Sequence, residues 1–216
     1  MSEPMNVSPL RVDQSIIASL VEPGSRVLDL GCGDGLLLDH LIRTKQCRGL
    51  GVEISAEGVR SCIARGVPVI QGDIDQGLSD HLEGTFDYVV LSHTLQTIHR
   101  PKLVLDEMLR VGNRAVVSFP NFGHWRFRWQ LMLTGRAPQS GVLPYHWYDT
   151  PNIRVCTLLD FQDLCQELNL RTLQQIPLAS SGDARGGLPL QASRVPWLQA
   201  AANWLSPMAV FLLDKV

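Results

Sequence analysis

Val27-Leu28-Asp29-Leu30-Gly31-Cys32-Gly33-Asp34-Gly35 is a short apolar strand that runs directly into three alternating glycines, with Leu36, Leu37, Leu41 and Ile42 following at helical spacing. Strand, glycine turn and helix in that order open a doubly wound α/β fold, where the turn's backbone and the helix N-terminus face a ligand crevice. The glycines read G-x-G-x-G. A dinucleotide site wants G-x-G-x-x-G, and here Leu36 stands where the third glycine is needed. Asp29, two places before Gly31, would repel a pyrophosphate and suits an ammonium group instead.

The same alternation continues outward from this stretch. Strands are expected at Arg26 to Leu30, Gly49 to Glu53, Pro68 to Gln71, Phe86 to Ser92 and Arg114 to Phe119. Between them a helix starts with Ser55 as its cap and ends before Gly66, and another runs from Pro101 to Leu109 with proline at its first position. A later helix, Leu158 to Leu168, follows Thr157 and carries Leu159, Leu164 and Leu168 near one face. It leads to a strand at Leu173 to Leu178. Ala179 to Pro196, rich in Ser, Gly, Arg and Pro, reads as a long loop. Trp197 to Leu205 reads as a helix, and Met208 to Leu213 as a strand or a helix end. The expectation is one domain over residues 1–216, an α/β Rossmann-like fold with a mainly parallel sheet and helices on both faces.

Composition narrows the function classes. With 216 residues, 45% hydrophobic and 19% charged, the chain suits one buried core. Nineteen Lys and Arg against twenty-one Asp and Glu leave a formal charge of -2, so no global basic field draws in nucleic acid or an anionic membrane. The longest apolar run, Met208 to Leu213, is six residues, where a membrane span needs about 20. Met1 to Asn6 does not resemble a secretory signal, and a cytoplasmic location is expected. The five cysteines include no C-x-x-C pair, which argues against a disulfide framework or structural zinc, and no metal site is expected. Cys156 lies near His146 in sequence, but a buried thiol is the commoner fate than a Cys/His nucleophile pair. Motifs of zinc proteases, serine hydrolases and P-loop nucleotidases do not occur.

Two further acids occupy strand ends. Glu53 closes the second strand, about where an acid binds both hydroxyls of a ribose, and Asp73 follows the third strand, where a side chain meets an adenine edge. Asp29, Glu53 and Asp73 around one crevice would serve an amine, a ribose and an exocyclic amine, and S-adenosylmethionine has all three. From Arg26 to about Phe119 the chain resembles the class I S-adenosylmethionine-dependent methyltransferase fold. The resemblance implies contacts to S-adenosylmethionine or S-adenosylhomocysteine from Asp29, Gly31, Cys32, Gly33, Gly35, Glu53, Ile54, Asp73 and Ile74, with Leu91 and Ser92 flanking the methionine or adenine end. After the fourth strand stands Leu91-Ser92-His93-Thr94, unlike the Asp or Asn with Pro-Pro and an aromatic found in enzymes that methylate planar amino groups. His93 and His99 lie near the expected methyl position and read first as helix-start or surface histidines; methyl transfer needs a base only when the acceptor must lose a proton.

Phe119 to Tyr148 holds eight of the fourteen aromatic residues, three arginines, two histidines and no acid in thirty residues. Trp125, Trp129 and Met132 recur at helical spacing, Gly135 ends that helix, and Leu143 to Tyr148 reads as an irregular loop. A local lid core, an acceptor pocket and a protein interface all suit this aromatic insert, bounded at about 119–152. Leu30-Gly31-Cys32-Gly33-Asp34-Gly35, Ser118-Phe119-Pro120-Asn121-Phe122-Gly123-His124-Trp125 and Leu143-Pro144-Tyr145-His146-Trp147-Tyr148-Asp149-Thr150-Pro151-Asn152-Ile153 together resemble the methionine biosynthesis protein MetW family, from about Arg11 to Leu170. That resemblance implies a bacterial cytoplasmic protein working with homoserine O-acyltransferase. Two functions stay open: a module that binds cofactor and acts through that partner, and a methyltransferase with an unidentified small-molecule acceptor.

Overall fold

The computed structural model describes residues 9–78, 82–141, 143–178 and 196–215. Seven helices and seven strands follow one another as α1 (Val12–Leu20), β1 (Arg26–Leu30), α2 (Leu36–Lys45), β2 (Arg48–Glu53), α3 (Ala56–Arg65), β3 (Val69–Gln71), β4 (Phe86–Ser92), α4 (Pro101–Val111), β5 (Gly112–Pro120), α5 (Trp125–Thr134), α6 (Leu158–Glu167), β6 (Leu170–Leu178), α7 (Pro196–Leu205) and β7 (Met208–Lys215). All strands join one sheet in the order β3-β2-β1-β4-β5-β7-β6. The pairs from β3 to β5 are parallel, and β7 is antiparallel to both its neighbours. The expected strand and helix alternation on a mainly parallel sheet is therefore present.

Local chemistry sets the element ends. Ser55 accepts the Gly58 N–H at the start of α3, and Gly66 turns left-handed at its end. Pro101 occupies the first turn of α4, which runs two residues past the expected end, to Val111. Thr157 and Asp160 form a reciprocal capping box that starts α6. That helix buries Leu158, Phe161 and Cys165, and the expected Leu164 and Leu168 pack against the same core part-buried, whereas Leu159 is 40% exposed. Met208 begins a strand, because its segment pairs along its length with β5 on one side and β6 on the other. β6 starts at Leu170 rather than Leu173. Of the loop expected from Ala179 to Pro196, residues 179–195 lie outside the described residues, as do residues 1–8 and His81, while Pro196 begins α7.

Two apolar layers cover the sheet. Alternate residues of each central strand, Leu28 and Leu30, Val89 and Leu91, Val117 and Phe119, pack towards α4 and α6. The intervening ones, Val27, Val90 and Val116, pack towards α1 and α2. Phe119, Phe161 and Phe211 meet at ring-centroid distances of 4.7 to 5.7 Å. By the same alternation Asp29, Ser92 and Ser118 project to the α1 face, and this places a polar cluster under the first turn of α1.

Candidate functional site

The C-terminal ends of β1, β2, β3 and β4 border a cleft of about 320 Å³ lined by Gly31, Val52, Glu53, Ile54, Gly72, Asp73, Ile74, Asp75, Thr94, Thr97 and Ile98. That lies within the range of small-ligand sites. Gly31 and Gly33 adopt φ of 71° and 58°. A Cβ on Gly31 would sit 2.6 Å from the Thr94 hydroxyl oxygen, so only glycine lets the β1 turn approach the loop after β4. Gly35, also left-handed, begins α2, and a Cβ there would meet the Cys62 sulfur at 2.9 Å.

Glu53 organises the crevice wall. One carboxylate oxygen accepts the Gly33 N–H at 2.9 Å and the other accepts the Ser55 N–H at 2.8 Å, so the acid joins the glycine turn to the start of α3. Gly58 is packed so closely behind it that a Cβ would lie 2.7 Å from Glu53 Cγ and 2.8 Å from the Gly33 carbonyl oxygen. Across the cleft Asp73 accepts the Asp75 N–H at 2.9 Å and caps the 3-10 turn Ile74–Gln76. Asp75 in turn accepts the His99 and Arg100 N–H groups at 3.0 and 2.7 Å, and so fixes the loop that follows β4.

The expected site residues divide between cleft and interior. Gly31, Glu53, Ile54, Asp73 and Ile74 line the cleft. Asp29 does not: it pairs with Gly51 and Val90, two rungs below the level of Glu53, and is 2% exposed. Its Oδ1 has no hydrogen-bond partner. Burial pushes the Asp29 carboxyl up to about 7, Arg11 opposes this, and Glu53 and Asp13 add to it. Gly33 and Gly35 shape the turn without lining the cleft. Cys32 is buried, with its sulfur 3.7 Å from that of Cys62, and Leu91 is fully buried in the core. Ser92 faces α1, its hydroxyl donating to Asp13 Oδ2 and accepting from Arg11, both at 2.8 Å.

Helix α1, for which the sequence reading gave no element, supplies a group that reading missed. Asp13 is 1% exposed and accepts hydrogen bonds from Arg11, Ser92 and Ser118. The available signal was Asp13 itself, one helical turn before the buried Ile17 on an apolar face. His93 is not a helix start: it follows β4 with φ 55°, is half-buried with 22% of its side chain exposed, and its Nε2 lies 3.8 Å from Asp13 Oδ2, whereas His99 is exposed. Cys156 and His146 do not pair. His146 Nδ1 lies 2.8 Å from Gln139 Nε2, and burial pushes the Cys156 thiol up to about 12.

The aromatic insert turns outward. Only Phe127 of α5 is buried, while Trp129, Met132, Tyr145, Trp147 and Tyr148 are exposed, Trp147 at 77%. Arg126 stacks over Trp125 and Arg128 over Trp204. Where the insert rejoins the sheet, the Ile153 and Arg154 N–H groups both donate to the Gln96 carbonyl, and the Arg154 guanidinium donates to that of His99. The insert is thereby tied to the cleft wall that contains Thr97 and Ile98.

No helix among the described residues is long and apolar enough to cross a membrane.

The fold is that of S-adenosylmethionine-dependent methyltransferases. A methyltransferase from Thermotoga maritima, described as a possible histamine N-methyltransferase, superposes with a TM-score of 0.68 at 16% identity over 95% of this chain and 88% of its own. The magnesium protoporphyrin IX methyltransferase of Synechocystis PCC 6803, with bound S-adenosylhomocysteine, gives 0.59 at 15% identity over 95% and 80%. A bifunctional methionine biosynthesis protein MetXA/MetW of Rhodopirellula baltica is 39% identical over 170 residues, 74% of this chain. The chain spans 27% of that relative's length. The family model for methionine biosynthesis protein MetW matches residues 11–213. With that match running from the first turn of α1 into β7, the chain belongs to the MetW family.

Proposed function

We propose that this protein binds S-adenosylmethionine or S-adenosylhomocysteine in the cleft and serves methionine biosynthesis together with homoserine O-acyltransferase. One observation carries the cofactor reading: Glu53, 8% exposed at the end of β2, lines a cleft beside a glycine turn too tight for side chains, with Asp73 opposite. Each Glu53 oxygen accepts one backbone N–H and keeps a lone pair for a ribose hydroxyl. Asp29 lies behind the cleft rather than on its lining, and its buried carboxyl with an unpartnered oxygen suits an ammonium group only where the ligand reaches past the glycine turn. When bound, the cofactor would supply an electrophilic methyl group. The bifunctional relative, which joins MetXA and MetW in one chain, supports the partner, as does an exposed basic and aromatic insert.

Calorimetry tests the cofactor site. Removing a charged acceptor from ligand hydroxyls costs about 1.5 to 3 kcal/mol, so Glu53→Ala should weaken S-adenosylmethionine binding at least about tenfold. NAD should bind more weakly than S-adenosylmethionine. Equal affinity in the variant, or a preference for NAD, contradicts the reading.

A further inference from the structure

Among the described residues three non-glycine positions have positive φ: Gln46, His93 and Asn169. Gln46 ends α2, and Asn169 follows the last turn of α6, where left-handed residues commonly terminate helices. His93 has no such reason, because it follows a strand. Its backbone is held in place: the N–H donates to the Ser118 carbonyl at 3.0 Å, and its carbonyl accepts the Gln96 amide at 2.7 Å. Strain of this kind, kept by its surroundings, concentrates at working sites.

The imidazole completes the observation. Its Nε2 is buried without a hydrogen-bond partner and lies 3.8 Å from Asp13 Oδ2. His93 does not itself line the cleft, but the next residue, Thr94, does, and 22% of the His93 side chain is exposed. Asp13 is fully partnered by Arg11, Ser92 and Ser118. Burial works against ionising Asp13, but His93, Arg11 and Ser92 outweigh it and hold its carboxyl below the ordinary range. Burial lowers the His93 pKa, Asp13 opposes this and Arg11 adds to it, which keeps the ring neutral at pH 7. The charged groups facing the ring are therefore Asp13 and Arg11, both from the start of α1, while β4 and β5 offer only the hydroxyls of Ser92 and Ser118.

We propose that His93, backed by Asp13 and next in sequence to the cleft residue Thr94, is an acid–base residue beside the cleft, and that the site methylates a small acceptor whose nucleophile carries a proton, an alcohol or a thiol. This rests on the cofactor reading, which supplies the methyl donor. The acceptor oxygen or sulfur attacks the methyl carbon and forms the new bond. The carbon–sulfonium bond breaks, its electron pair returns to sulfur, and S-adenosylhomocysteine leaves as a neutral thioether. The acceptor's proton passes to the imidazole, and Asp13 stabilises the imidazolium until solvent takes that proton. An acceptor already bearing a free lone pair would need no such base.

The test uses the full chain with S-adenosylmethionine and four probes: serine, homoserine, cysteine and homocysteine. At least one should yield S-adenosylhomocysteine. His93→Asn, which tolerates positive φ, should keep the S-adenosylmethionine Kd within about twofold while turnover falls about a hundredfold. The wild-type rate should fall as pH drops through the histidine's pKa, and the variant should lose that limb. Asp13→Asn should move the limb to lower pH, because the imidazolium loses its counter-charge; should it not fold, His93→Asn alone still decides. A wild-type chain that binds S-adenosylmethionine yet turns over none of the probes overturns the proposal, as does a His93→Asn rate and pH profile like wild type. A chain that binds no S-adenosylmethionine refutes the cofactor reading itself, and the proposal with it.

Discussion

Asp29 is an acid whose charge state is set by burial. Its carboxyl is pushed from 3.8 to about 7 by burial, so between those values the folded chain holds a proton that the unfolded chain has released. Stability should therefore decline from this group as pH rises from about 4 to about 7, with nothing further lost above. Urea titrations of the free protein at pH 5 and pH 7.5 should show that decline, and Asp29→Asn should flatten it. A cation reverses the preference. If the proposed cofactor brings its ammonium to Asp29, binding should expel the carboxyl's proton, so calorimetry near pH 6 in buffers of different ionisation enthalpy should register proton release with wild type and less with Asp29→Asn. Glu53 acts differently: each of its oxygens already accepts one backbone N–H, so the carboxylate is fixed in place before a ligand arrives and meets it with its remaining lone pairs.

At the scale of elements, α3 holds that wall through a residue with no side chain. Alanine normally stabilises a helix interior over glycine by about 1 kcal/mol, yet a Cβ on Gly58 would press on Glu53 Cγ and the Gly33 carbonyl oxygen. Gly58→Ala should thus weaken S-adenosylmethionine binding severalfold by calorimetry, even though its helix propensity improves. Nothing in the sequence around Gly58 announces this contact, since it depends on how α3 packs against two other segments. What could be read were elements with local punctuation: β1 and β4 end where they were expected, and Ser55, Gly66, Pro101 and Gly135 mark helix ends by their own backbone chemistry. α1 escaped because Arg11 is an unusual cap and Pro23-Gly24 follows closely. Glu53 and Asp73 were legible because strand ends share one edge of a parallel sheet. The depth of Asp29 was not, because it follows from the register of β1 against β2 and β4.

Over the whole molecule, the insert presents a basic, aromatic surface tied to the cleft wall. If this surface docks homoserine O-acyltransferase, as proposed, then Trp147→Ala or Arg126→Glu should weaken co-purification of the two proteins while the circular dichroism spectrum stays that of wild type. Truncating a central aromatic anchor commonly costs about 2 to 4 kcal/mol, and undiminished binding by every folded variant of this surface would assign the insert another role. The place of β7 has a consequence of a different kind, for the order in which the chain folds. β5 and β6 do not pair with each other; β7 lies between them, with Arg114 opposite Asp214 and Leu170 opposite Lys215. During synthesis β1 to β5 can assemble by short parallel crossovers, but the sheet closes only after residues 208–215 leave the ribosome. Until then the edge of β5 is open and its strand-rich sequence is free to pair with another nascent chain. Slow closure through contacts this distant in sequence makes the growing chain, rather than the finished fold, the form most exposed to aggregation.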